Sequence, residues 1–174
     1  MISIVNVLLT MVFTVFAISS LPKLISLKHF AKLVADYQIV PRKASMIIGF
    51  TLPFFEVLSC IFLFADGFIL TASFAFLLLL IAFSFAVFKS LAAGKKIHCG
   101  CYGKFIDSEA DSFTIFKLIS LLVSMVIVLI SFTFVPMENL KFEFHIIGFA
   151  LGLMLLVLQI LWTSHRRRLQ ILSQ

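Results

Sequence analysis

Apolar residues in this chain come in long runs separated by short basic segments. Five runs carry almost no charge: Met1 to Pro22, Ala44 to Ala65, Gly67 to Phe88, Leu118 to Met137 and Ile146 to Ser164. Each is close to the roughly 20 residues that an α-helix needs to cross a bilayer. Period-2 alternation is absent, so helices are expected rather than barrel strands. The pattern predicts an all-α polytopic membrane helix bundle. Its transmembrane helices are expected at about 2–22, 45–65, 67–88, 116–137 and 145–164.

One more helix is expected between the first two runs. Leu24, Leu27, Phe30, Ala31, Leu33 and Val34 recur at helical spacing, with Lys23, Lys28, His29 and Lys32 between them. This is the pattern of an amphipathic helix at the membrane interface, serving as an anchor or as a lid over a site. Short turns are expected at Asp66-Gly67 and around Pro136 to Glu143. No repeat or Pro/Gly/Ser linker divides the chain, so residues 1–174 read as a single integral membrane domain.

Composition narrows the class. Of 174 residues, 62% are hydrophobic and 13% charged, against about 45–50% and about 25% in a soluble domain. That excludes an ordinary cytosolic domain, a disordered chain and a disulfide-rich secreted module. Twenty-two Phe suit a surface that faces lipid. The net charge of +6 invites a nucleic-acid reading. The basic residues sit at the ends of apolar runs, however, and form no folded basic face. The expected partner is the lipid bilayer and not nucleic acid. The first run lacks a basic n-region and exceeds the usual length of a signal-peptide core, so it reads as a retained helix.

Lys and Arg distribution sets the expected orientation. Lys23, Lys28, Lys32, Arg42 and Lys43 follow the first run, and Lys89, Lys95, Lys96, Lys104 and Lys117 follow the third. Arg166, Arg167 and Arg168 follow the fifth, which leaves only Lys141 for the other side, a bias of 13 to 1. By the positive-inside rule the N-terminus lies outside and the C-terminus in the cytoplasm of a multi-pass cell-membrane protein.

Candidate chemistry concentrates in the loop at about 94–112, around Gly94-Lys95-Lys96-Ile97-His98-Cys99-Gly100-Cys101-Tyr102-Gly103-Lys104. Two thiols one residue apart can close a small, strained ring, which favours exchange over a structural role. The lysines and a protonated His98 would favour thiolate. Three readings stand: thiol–disulfide exchange by Cys99 and Cys101 with His98 beside them; zinc or Cu(I) held by His98, Cys99 and Cys101; or a tight turn with incidental cysteines. A closed zinc site wants a fourth ligand, which Asp107, Glu109 or Asp111 would have to supply.

The His98-Cys99-Gly100-Cys101-Tyr102-Gly103 loop, between the third and fourth runs, resembles that of MauE-like membrane proteins, named for methylamine utilisation and related to the redox-associated DoxX and DoxD proteins. Lys23, Lys28 and Phe30 ahead of Tyr37 and Pro41, and Pro53 with Glu56, fall in segments like that family's. Tyr102 stands where Phe is common. The resemblance implies redox maturation of exported proteins: the namesake is thought to assist a disulfide-rich methylamine dehydrogenase subunit beside a thioredoxin-like partner. Cys99 and Cys101 then become the redox pair. Methylamine itself need not transfer. Disulfides of exported proteins form outside the cytoplasm, whereas the charge bias puts this loop inside. An inside loop would take electrons from cytosolic thiols; an outside loop would oxidise a client.

Polar residues within the runs come last. Glu56 lies midway along its run, where an acid costs roughly 2.5–3.5 kcal/mol. It reads either as a protonated carboxyl bonded to a neighbouring helix or as a proton relay or part of a quinone pocket. Cys60, one turn on, reads as a small hydrophobe. Pro53 is one turn earlier. Asn6 and Gln159 are expected to bond between helices, His145 and Trp162 to sit at interfaces, and Asp111 or Ser112 to cap a helix.

Overall fold

A computed structural model describes residues 2–38, 41–65, 67–92, 112–134 and 143–172. All regular structure among them is helical. The helices are α1 (Ile2–Ile25), α2 (Leu27–Asp36), α3 (Arg42–Phe62), α4 (Ile69–Ala92), α5 (Ser112–Ser131) and α6 (Ile146–Leu172). Five of them, all but α2, are long and apolar enough to cross a membrane. The expected bundle of five spans and one short amphipathic helix is the architecture found.

Hydropathy could not say which span is central. It is α1, which packs against α3, α5 and α6 and is 61% buried along its span, while the others range from 28% to 39%. Val5, Leu9, Val12 and Phe16 of α1 meet Phe76 and Leu80 of α4, Leu121 and Met125 of α5 and Leu156 of α6 in one apolar core. The outer faces stay apolar: Phe54, Phe55 and Ile61 on α3, Phe74, Leu78 and Phe85 on α4, and Ile119 and Ile130 on α5 are all exposed. A water-soluble fold would not leave so continuous a surface uncovered; lipid covers it.

Two helix contacts depend on missing side chains. A Cβ on Gly148 would lie 2.3 Å from the carbonyl oxygen of Val7, and one on Gly152 would lie 2.8 Å from Thr14 Cβ. Glycine four residues apart on α6 therefore lets α1 approach to backbone contact, the usual route to tight association where no hydrophobic effect drives helices together. Likewise a Cβ on Gly49 would lie 2.5 Å from Ala31 Cα, so α2 rests directly on α3.

Boundaries differ from the sequence reading where side chains override the end of an apolar run. The first helix does not stop at Pro22 but continues to Ile25, with Pro22 inside it. Pro22 has no N–H to give to the carbonyl four residues back, so the helix forgoes one bond there, and Lys23 is held in the bundle as described below. Lys23 and Leu24 thus belong to α1 and not to the amphipathic helix. At Ser26 the backbone leaves helical angles, and the Ser26 hydroxyl donates to the Pro22 carbonyl at 2.6 Å. In α2, Phe30, Ala31 and Leu33 are buried while Lys28, His29, Lys32 and Asp36 face out. Its apolar side is covered by α3, not left for lipid. Gly67 has φ +84°, which places the expected turn between α3 and α4, although Asp66 lies outside the described residues. Helix α5 begins at Ser112, ahead of the expected 116, which puts Lys117 in its second turn.

Candidate functional site

The pattern singled out Glu56, and the structure supplies its partner. Glu56 is on α3, with Pro53 and Cys60 one turn to either side, all buried. Lys23 Nζ donates to Glu56 Oε1 at 2.6 Å and to Oε2 at 2.8 Å. The two side chains are 6% and 4% exposed, so this is a buried, charge-assisted pair. The bond to a neighbouring helix was expected, and the group that makes it is a lysine of α1. Sequence reading missed it because Lys23 follows an apolar run and looks like an interfacial flank. A signal was present: an acid in mid-span calls for a cation within reach of the bundle interior. Phe30 of α2 lies over the amine, with its ring centre 5.4 Å from Lys23 Nζ. Helix α2 thus contributes a ring beside the pair.

A second cation is buried nearby. Lys117, on the first turns of α5, is 2% exposed and donates to Gln159 Oε1 of α6 at 2.6 Å. The expected interhelical bond of Gln159 is thus found, and its partner is a lysine. Asn6 is different: it is 1% exposed, and neither side-chain polar atom has a hydrogen-bond partner among the described residues. Its predicted interhelical bond is not found among the described residues. It lies on α1 just before Thr10 and Thr14, whose hydroxyls turn back to carbonyls of their own helix at 2.7 Å, leaving Asn6 without a facing group.

Lys23, Glu56 and Lys117 line one cavity of about 40 Å³, together with Ser19 of α1 and Leu80 and Phe83 of α4. A water needs roughly 10–15 Å³ on this measure, so two or three fit; an organic ring needs far more. The cavity is lined by the middle of α3 and α4, the last turns of α1 and the first turns of α5. Cys60 is a free thiol in the apolar core, matching the small-hydrophobe reading. His145 precedes α6, and its amide donates to Thr10 Oγ1 at 3.3 Å. Trp162 stacks on Phe113 with Arg166 over its ring. His98, Cys99, Cys101, Asp107, Glu109 and Asp111 lie outside the described residues.

Five apolar spans around a buried charge cluster define a multi-pass helical membrane protein. Residues 1–134 match the family profile described as methylamine utilisation protein MauE, and the chain belongs to that family. The match runs from α1 through α5 and includes the Cys-Gly-Cys loop; α6 lies beyond it. No curated protein and no solved structure matches the chain.

Proposed function

We propose that this chain is a thiol–disulfide redox protein of the membrane, with Cys99 and Cys101 as its redox pair. The observation that carries this is the Gly-bounded Cys-Gly-Cys loop among lysines, inside the segment that matches the MauE family. A thioredoxin-like protein gives two electrons and two protons from its dithiol to the Cys99–Cys101 disulfide and becomes a disulfide itself. The reduced pair then passes the same two electrons and two protons to a membrane acceptor of the quinone class. His98 exchanges protons with the adjacent thiols, and Glu56 serves as proton relay within the bundle. With the loop inside, the donor is a cytosolic thiol protein, and the membrane acceptor carries the electrons across toward exported proteins, whose maturation is the work done; methylamine dehydrogenase is the family's example.

With Lys23 and Lys117 set aside as buried, basic residues still divide eleven to one. That supports an outside N-terminus, a cytoplasmic C-terminus and a cytoplasmic loop that draws on cytosolic thiols.

Thiol trapping in whole cells tests both parts. In a Cys60→Ala background, an impermeant thiol reagent is followed by a permeant one, with and without prior reduction. A disulfide that reduces and re-forms, with thiols reached only by the permeant reagent, is expected. Two thiols that never oxidise, and are protected only by added zinc or Cu(I), would replace this reading with a soft-metal site at His98, Cys99 and Cys101.

A further inference from the structure

Helix α6 outlasts its apolar span. The span ends at Arg166, and the helix continues to Leu172. Trp162, one turn before that end, stacks on Phe113 of α5 with ring centres 6.3 Å apart, and Phe113 in turn lies 6.2 Å from Phe116. Phe116 is 61% exposed and Trp162 40%, so the three rings form an aromatic wall that opens on lipid. Arg166 borders this wall at the helix end, with its guanidinium carbon 5.6 Å from the centre of the Trp162 ring.

Indole and guanidinium side chains both settle at the headgroup level of a bilayer. Arg166 is exposed, and it pairs with no carboxylate among the described residues, where the ion pairs are Lys23 with Glu56 and His145 with Glu143. His165, Arg166, Arg167 and Arg168 follow one another, and no acid follows Glu143 in the sequence. The potential at this helix end is therefore positive. On the membrane side of the guanidinium, Leu158 of α6 and Ile119 of α5 are exposed beside the aromatic wall. A planar cation next to an apolar strip matches a phosphate next to an acyl chain.

We propose that this end of α5 and α6 is a binding site for an anionic phospholipid of the bilayer. Arg166 donates to the phosphate while its guanidinium rests against the Trp162 ring, and the neighbouring basic residues favour a headgroup of net negative charge. One acyl chain lies along Phe116, Ile119 and Leu158. The charged half of the site lies beyond residue 134, where the family match ends, and the site does not rest on the redox reading.

Trp162 is the sole tryptophan, so its fluorescence reports on this site alone. The whole chain is placed in nanodiscs of phosphatidylcholine, with a minor share of the lipid replaced by phosphatidylglycerol or phosphatidylcholine carrying brominated acyl chains. Brominated phosphatidylglycerol should compete for contact with Trp162 about fivefold better than brominated phosphatidylcholine, the preference expected from one basic side chain at the surface. Arg166→Gln should abolish that preference. Lys89→Gln, which removes an exposed charge from the last turn of α4, should leave it unchanged, and soluble glycerol 3-phosphate at matched ionic strength should not relieve the quenching. Equal quenching by the two headgroups would overturn the proposal. So would a preference that survives Arg166→Gln, or one lost equally in Lys89→Gln, which would mean a diffuse surface charge. Displacement by glycerol 3-phosphate would replace the lipid with a free phosphate.

Discussion

The pair of Lys23 and Glu56 invites a double-mutant cycle: Lys23→Met, Glu56→Leu, and both together. Two short contacts, 2.6 and 2.8 Å, and side-chain exposures of 6% and 4% put the pair in the fully shielded regime. Removing one partner there strands the other as an uncompensated buried charge, at a cost of about 3–5 kcal/mol. Replacing both with apolar groups of similar volume removes the desolvation cost along with the attraction, so the double variant should lie within about 1–2 kcal/mol of the parent. The coupling energy is then at least about 3 kcal/mol, and of the sign that makes the double variant more stable than either single one. Equilibrium unfolding in mixed micelles, followed by Trp162 fluorescence, measures each corner. Single substitutions costing less than about 1 kcal/mol, the range of exposed pairs, would refute the claim that the pair is shielded. A double variant no better than the singles would refute the claim that the two residues act on each other.

Other expectations follow from the same geometry. Gly148→Leu forces side-chain volume against the Val7 carbonyl and should cost about 1–3 kcal/mol or more, read by the same unfolding assay; Ala150→Leu on the exposed face should not. Gly49→Val should lift α2 from α3, and limited trypsin digestion should then cut faster at Lys28 and Lys32. Lys117→Met leaves the Gln159 oxygen without its donor, for a loss of about 1–3 kcal/mol, and adding Gln159→Leu should recover most of it. Cys60, 7% exposed, should resist aqueous maleimide in the folded protein and react after unfolding.

Charge-free runs located all five spans because the bilayer imposes one length and one polarity on every crossing. The short helix between the first two runs was equally visible, since its apolar positions fall on one face. Hydropathy carries no record of neighbours, and that is where reading failed. Lys23 and Lys117 each adjoin an apolar run and so pass for flanking charges, yet both fold inward. Lysine has a long apolar stem that suits either fate, and only a facing Glu56 or Gln159 decides which. Asn6 erred in the other direction: a polar residue in a span suggested a bond, and its side chain has none among the described residues. Gly148 and Gly152 did leave a trace, glycine at four-residue spacing in an apolar run, which marks a close helix contact without naming the partner.

That contact has a consequence for biogenesis. Helix α1 is made before α6 and carries Asn6, Thr10 and Thr14, all buried in the folded protein. The glycine face that covers the Thr10 and Thr14 side belongs to α6, which begins only at Ile146. Until α6 is made, therefore, the central helix sits in the bilayer with this flank bare. It must wait at the translocon, or against other spans, until α6 arrives. The bundle closes like a clasp only when α1 and α6 meet.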